Sequence, residues 1–167
     1  MVDTLGWRCK FGVVTPSTNT VVQPEYDDLR PPGVTNHIGR MHIPDDPVAS
    51  DADFDELIRR IDAALEAALD GVLTCKPDHI ILGISAESIW GGGLEPSRRI
   101  VERIHRRAGF PIGVTQAADA LPAALRALGV KRRIALVTPY FPVAEEHLRR
   151  FVDEIGYELV RSCHLGC

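Results

Sequence analysis

Residues 78–84, DHIILGI, decide the fold of this chain. From Ile80 onward the run has no polar side chain, whereas a strand with one solvated face would alternate apolar and polar residues. Such a continuous apolar run is typical of a strand in a parallel sheet that is covered on both faces. Two further short runs, KFGVVT at 10–15 and RIALVT at 133–138, have the same character. We therefore predict an α/β protein built on parallel strands.

Helical patterns separate these strands along the chain. The clearest helix is predicted over 51–69, where Phe54, Ile58, Ile61 and Leu65 recur at helical spacing and Gly71 follows as a stop signal. Further helices are predicted over 18–29, 95–107, 117–128 and 143–155, and further strands over 34–43, 110–115 and 157–163. The alternation predicts βαβ units with a Rossmann-like parallel sheet and right-handed crossovers.

A short repeated motif suggests that the chain contains two similar halves. The tripeptide VTP ends the first predicted strand at 14–16 and the fifth at 137–139. We predict a complete first α/β half over 1–116 and the start of a second half over 117–167. Because the chain stops just after the sixth predicted strand, we expect the second half to be truncated relative to a longer natural protein.

Composition excludes several classes of function. The 167 residues are 45% hydrophobic and 25% charged, with a formal net charge of −4. This balance predicts a globular domain without a basic surface for nucleic acid. No apolar run approaches the ~18 residues that a membrane span needs, and the first residues do not resemble a signal peptide. We therefore predict a cytoplasmic protein that binds neither nucleic acid nor membrane.

No cofactor or metal site is predicted. The sequence contains neither a G-x-G-x-x-G fingerprint nor a P-loop, and the six histidines form no spaced cluster. The four cysteines, at 9, 75, 163 and 167, match no zinc spacing and are predicted to be free thiols.

The first candidate site is PSTNT at 16–20, directly after the first predicted strand. Ser17 and Asn19 could bind a carboxylate there, because ligands of parallel sheets lie beyond the carboxyl ends of the strands. The alternative is that Ser17 or Thr18 only caps the following helix.

The second candidate site is SAESIWGGG at 85–93, after the third predicted strand. Ser85 stands where a nucleophile or an oxyanion donor would stand in an α/β enzyme, and the glycines allow close approach of a ligand. The alternative is a surface loop that Trp90 anchors by packing.

The third candidate site is PYFP at 139–142, after the fifth predicted strand. The phenol of Tyr140 could hydrogen-bond a substrate carboxylate or donate a proton. An aromatic ring that merely covers the start of the next helix is an equally good interpretation.

Four stretches together resemble the aspartate/glutamate racemase superfamily, and within it the branch that holds maleate cis-trans isomerase and arylmalonate decarboxylase. They are GVVTPSTNT at 12–20, DHII at 78–81, the segment from LRALGV at 125–130 through ALVTPY at 135–140, and GYELV at 156–160. The resemblance implies two pseudo-symmetric α/β halves with a cofactor-independent active site between them. It also implies one cysteine from each half and carboxylate binding by an asparagine like Asn19 and a tyrosine like Tyr140.

The chain departs from this pattern where the first cysteine of the family is expected. Ile84 occupies that position, Ser85 follows it, and the second cysteine would lie beyond residue 167. A serine without an adjacent base does not replace a thiolate nucleophile. The decarboxylase branch also lacks the first cysteine and uses hydroxyl and backbone donors to stabilise an enediolate, which suits Ser85 and Ser88.

The resemblance implies a cofactor-independent isomerase or racemase-type enzyme for a small carboxylic or dicarboxylic acid. Ser17, Asn19 and Tyr140 would bind the carboxylate, and Ser85 and Ser88 would stabilise the developing oxyanion. The alternatives are an arylmalonate-type decarboxylase and a non-catalytic carboxylate-binding domain. A homo-oligomer is compatible with the sequence. Because no cysteine pair is visible, we expect the 167-residue chain alone to show no useful turnover.

Overall fold

The structure, a computed structural model, describes residues 3–90 and 92–166. Strands and helices alternate along the chain as the sequence predicts. In order they are β1 (Cys9–Pro16), α1 (Val22–Asp28), β2 (Val34–Met41), α2 (Asp51–Leu73), β3 (His79–Leu82), α3 (Ala86–Ile89), α4 (Glu95–Ala108), β4 (Gly113–Thr115), α5 (Ala117–Ala127), β5 (Arg133–Thr138), α6 (Ala144–Glu154) and β6 (Glu158–His164).

The strands form two parallel sheets. The first has the order β2-β1-β3-β4, and the second pairs β5 with β6. Within the first sheet β1 lies between β2 and β3, with Val14 opposite Leu82. The carboxyl ends of β1 and β3 therefore lie side by side, and the predicted parallel α/β fold is confirmed. The division of the chain between residues 116 and 117 remains a prediction.

One contiguous hydrophobic core serves both sheets. Val14 of β1, Leu65 of α2 and Ile80 of β3 are fully buried in it, as is Phe151 of α6. Val13 and Ile81, which alternate with Val14 and Ile80 along the strands, are buried as well. Burial on both faces explains why the sequences of β1 and β3 are continuously apolar.

Phe54 of α2 connects the first sheet to the loop after β5. Its ring centroid lies 5.2 Å from that of Trp90, 5.8 Å from that of Tyr140 and 5.7 Å from that of Phe141. Aromatic rings at these distances attract one another in tilted or edge-to-face geometry. The predicted packing role of Trp90 is confirmed by this contact.

Helix ends differ from the prediction. The first helix begins at Val22 rather than residue 18, because the preceding residues form a turn. The second helix does not stop at Gly71 but continues to Leu73, since Val72 is buried against the backbone of β1 and β2 at Gly12 and Gly39. Residues 86–89, predicted as loop, form the short α3, two of whose residues, Ala86 and Ile89, are buried in the core.

The helices of the described residues include none that is both long and apolar enough to cross a membrane.

Candidate active site

The segments that follow β1, β3 and β5 line two adjoining clefts. The larger cleft has a volume of about 420 Å³ and the smaller one about 280 Å³. Asn19 lines the larger cleft and Tyr140 the smaller one, and Ser85 and Ala117 line both. Three residues predicted for the site, each following a different strand, thus meet at one edge of the molecule.

Ser85 and Tyr140 are in direct contact. The Ser85 Oγ lies 2.6 Å from the Tyr140 Oη, so a hydrogen bond links the residue after β3 to the loop after β5. Tyr140 is only 7% exposed. Burial raises the pKa of its phenol, and the hydrogen bond from Ser85 opposes this rise. The phenol therefore carries its proton at neutral pH and can act as a donor.

Asn19 caps the first helix and lines the larger cleft as well. Its Oδ1 accepts hydrogen bonds from the backbone N–H groups of Val21 at 3.0 Å and Val22 at 2.8 Å. These bonds fix the orientation of the carboxamide and leave Nδ2 as the atom that can donate to a ligand. The cap expected from Ser17 or Thr18 is not observed, because α1 begins only at Val22 and Asn19 accepts the N–H groups at its start instead. This role of Asn19 is compatible with carboxylate binding.

We expect Asn19→Ala to lower the free energy of unfolding by about 0.5–2 kcal/mol, because two N–H groups of the first turn lose their acceptor. Asn19→Asp retains an acceptor oxygen at the same place and should unfold at nearly the wild-type midpoint. Urea denaturation measures both variants. Equal destabilisation by the two substitutions would contradict the capping role.

Ser17 and Ser88 are not among the residues that line the two clefts. The Ser17 Oγ accepts a hydrogen bond from the Ile43 N–H at 3.0 Å and so ties the end of β1 to the segment after β2. Ser88 is fully buried and donates to the Ser85 carbonyl oxygen at 3.1 Å. In this structure both serines hold the backbone of the site in place.

Gln116 is a site residue that the sequence analysis missed. It precedes α5, is 2% exposed and lines the larger cleft. Its Nε2 donates to the Ser97 carbonyl oxygen at 2.9 Å, whereas its Oε1 has no hydrogen-bond partner among the described residues. A buried acceptor of this kind is costly unless water or a ligand donates to it. The sequence offered no signal beyond a polar residue at the end of a strand.

Three of the four cysteines lie within the described part of the chain. Cys9, Cys75 and Cys163 are free thiols, and none of them lines either cleft. Cys167 lies outside the described residues. Over the same described ranges, no three His, Cys, Asp or Glu side chains come together as metal ligands.

A cleft of about 690 Å³, larger than either of these, lies between α2 and α4, and Trp90 and Gly92 of the segment after β3 also line it. It is rich in arginine, but each arginine side chain is paired with a carboxylate of a neighbouring helix turn or of the facing helix. The pairs are Arg59–Glu56, Arg99–Glu95, Arg103–Glu66 and Arg150–Glu154. Because these charges are neutralised, we place the candidate site at the two clefts beside Ser85.

The chain matches no protein-family model and no curated protein sequence. Its fold matches that of solved structures. A maleate cis-trans isomerase from Nocardia farcinica, bound to TRIS, superimposes with a TM-score of 0.79 at 23% identity, over 95% of this chain and 64% of the isomerase. The maleate isomerase Iso from Pseudomonas putida S16 gives a TM-score of 0.75 at 20% identity, over 95% of this chain and 64% of the isomerase. An arylmalonate decarboxylase gives a TM-score of 0.64 at 17% identity, over 95% of this chain and 63% of the decarboxylase.

These neighbours define the class of fold to which the chain belongs. It has the α/β fold shared by maleate isomerases and arylmalonate decarboxylases, the branch that the sequence motifs resemble. The chain spans 64% of the length of the isomerases that it matches.

Proposed function

We propose that the chain forms the substrate-binding part of a cofactor-independent isomerase or racemase-type enzyme that acts on a small carboxylic or dicarboxylic acid. The observation that carries the proposal is the meeting of Asn19, Ser85 and Tyr140 at two adjoining clefts. These residues come from three different strand ends, and all three carry hydrogen-bond donors.

The chemistry of these donors suits a carboxylate. The Ser85–Tyr140 pair holds two hydroxyl protons, and the hydrogen bond between the two oxygens uses only one of them. The second proton is available to a ligand oxygen, and so is the Nδ2 of Asn19. Fixed donors of this type stabilise a carboxylate in the ground state and an enolate-like oxyanion as it develops.

The structural neighbours support this proposal. They are maleate isomerases and arylmalonate decarboxylases, and one structure of the Nocardia enzyme holds a covalent succinylcysteine intermediate. By analogy, the reaction of this protein would draw on a thiol. Since no described cysteine lines the clefts, we assign to residues 3–90 and 92–166 the binding of the carboxylate and the stabilisation of charge.

A malonate-type decarboxylase is the second candidate. The observation that favours it is the hydroxyl pair of Ser85 and Tyr140, which lies next to Ile84, the residue at the position where the isomerase pattern expects a thiol. Hydroxyl donors can stabilise the enediolate that loss of CO2 from a malonate leaves behind. A non-catalytic carboxylate-binding domain would use the same donors without turnover.

The test is isothermal titration calorimetry of the chain with maleate, aspartate, glutamate and phenylmalonate, with turnover followed by proton NMR. We expect binding of at least one of these acids. We also expect Asn19→Asp to lower that affinity by about tenfold or more, because it places a negative charge beside the ligand while it keeps the helix cap.

The matched control is Gln23→Glu. It adds the same charge on α1, where the side chain contacts the Arg40 guanidinium and does not line the larger cleft. We expect its affinity to stay close to the wild-type value. Failure of all four acids to bind, or an equal loss of affinity in both variants, would contradict the proposal.

The proposal includes a cytoplasmic location. Exposed free thiols such as Cys75 and Cys163 are supporting observations, because thiols of this kind persist in a reducing compartment. Self-association of the chain is a further part of the proposal, and light scattering would measure it.

A further inference from the structure

A hydrogen-bonded chain of side chains lies at the carboxyl end of the second sheet, beside the smaller cleft. The His164 Nδ1 lies 3.0 Å from the Thr138 Oγ1, and its Nε2 lies 2.8 Å from the Glu145 Oε2. Thr138 is buried and lines the smaller cleft together with Ser85 and Tyr140. This series of hydrogen bonds thus connects a carboxylate on α6, through an imidazole on β6, to a hydroxyl in the candidate site.

The Glu145 carboxylate, at one end of this series of hydrogen bonds, is ionised at neutral pH. Glu145 accepts hydrogen bonds from the Ser162 hydroxyl and from His164, and both bonds lower the pKa of its carboxyl group. Arg149, one turn further along α6, contributes to the same shift with its guanidinium 2.6 Å from Glu145. An ionised carboxylate can only accept hydrogen bonds, so the His164 Nε2 carries a proton in either state of the ring.

Because Nε2 keeps its proton, the neutral and the charged ring of His164 differ only in whether Nδ1 carries a proton. The His164 side chain is 11% exposed. Its charged contact is Glu145 of α6, whose other carboxylate oxygen is paired with Arg149, whereas β5 presents the neutral Thr138. When Nδ1 is unprotonated, it accepts the hydroxyl proton of Thr138. When Nδ1 is protonated, it donates to the Thr138 oxygen, and the hydroxyl proton must then turn to another acceptor.

We propose that Glu145, His164 and Thr138 form a proton-coupled binding element in which uptake of one proton by His164 turns the Thr138 hydroxyl into a donor for a carboxylate in the smaller cleft. The inference rests on the proposed function, because it assumes that the cleft holds a carboxylate. The proton comes from solvent and is bound at Nδ1, and no other bond forms or breaks. Carboxylate binding and proton uptake then favour each other, as linkage requires.

The test uses fumarate as the probe, because both of its carboxyl groups are ionised across the pH range of interest. Calorimetry is performed at a series of pH values between about pH 6 and pH 8. We expect fumarate to bind about tenfold more tightly at the lower pH, the change in affinity that one additional hydrogen bond to a charged group gives. Repeating the titration in buffers of different ionisation enthalpy should show uptake of a fraction of a proton.

Three variants and one control locate the effect. His164→Gln keeps a donor for Glu145 but does not titrate. Thr138→Val removes the hydroxyl while it keeps the branched shape. Both variants should bind fumarate independently of pH. Thr138→Ser retains the hydroxyl and should retain the pH dependence. The control is His37→Gln, since His37 also contacts a threonine, Thr35 at 3.0 Å, but does so on β2 and lines neither cleft. Circular dichroism checks that each variant is folded.

The outcomes separate this inference from the proposed function. Fumarate binding that is equally tight at both pH values, or pH dependence that survives in either Thr138→Val or His164→Gln, overturns the proton-coupled element and leaves carboxylate binding intact. Loss of the pH dependence in His37→Gln also overturns it. Absence of fumarate binding at every pH overturns the inference together with a carboxylate site in this cleft.

Discussion

Replacement of Phe54 by alanine is expected to lower the free energy of unfolding by about 3–5 kcal/mol. Phe54 is 7% exposed, and its ring contacts those of Trp90, Tyr140 and Phe141. The substitution removes a large buried ring and leaves a cavity where α2 meets the loop after β5. Because both the apolar transfer and the cavity contribute, the loss should be among the largest that a single substitution causes here.

The measurement for Phe54→Ala is equilibrium unfolding in urea, with Phe110→Ala as the matched control. Phe110 is the same residue type but is 50% exposed, in the segment before β4. Its replacement should change the free energy of unfolding by about 0.5 kcal/mol or less. A small effect of both substitutions would show that the aromatic contacts around Phe54 do not hold the two sheets together.

Replacement of Tyr140 by phenylalanine is expected to weaken carboxylate binding by about 0.5–3 kcal/mol, a range that spans hydrogen bonds to neutral and to charged partners. This corresponds to a loss of affinity of roughly 2- to 150-fold. The ring remains in place, so the contact with Phe54 is kept and the fold should be intact. Burial raises the pKa of the phenol, and therefore the effect should be constant from neutral to mildly alkaline pH.

Calorimetry with the acid that binds most tightly measures this effect, and thermal unfolding confirms that the variant is folded. Tyr157→Phe is the control, because its hydroxyl contacts the Val130 carbonyl oxygen and lines neither cleft. Unchanged affinity in Tyr140→Phe, with an unchanged melting temperature, would assign Tyr140 to packing alone.

Strands β1 and β3 could be predicted from the sequence because consecutive residues in them are buried. The strand β5 was predicted from its apolar residues, although only Ile134 and Thr138 in it are buried. The fifth strand was predicted over 133–138 and is observed as Arg133–Thr138. The helix ends were harder to predict, because they depend on contacts between elements that are distant in sequence. Gly71 would end an isolated helix, but α2 continues because its last turn buries Val72 against Gly12 and Gly39.

The candidate site could be predicted in part, for a topological reason. Asn19, Ser85 and Tyr140 each follow a strand, and parallel strands bring such positions to one edge. The side-chain hydrogen bonds within that edge were not predictable. Ser17 and Ser88 have the residue type of a ligand contact, but their hydroxyls bond to nearby backbone instead.

The pairing of Thr138 with His164 had no sequence signal at all. It depends on the register between β5 and β6, which shifts after Ile134 because Val160 is an extra residue on β6. A shift of one residue moves every later side chain to the other face of a strand. Without it, Cys163 rather than His164 would stand opposite Thr138.

The continuous core has a consequence for how the chain folds. Side chains of both sheets are buried in one cluster, so neither sheet can lose its packing without exposing apolar surface of the other. Folding of the described residues should accordingly be a single cooperative transition, with coincident curves from different spectroscopic probes. The boundary predicted between residues 116 and 117 would divide the sheets without dividing this cooperative unit. The smaller cleft, which Ser85 and the residues of β5 line together, would form only when both sheets are folded.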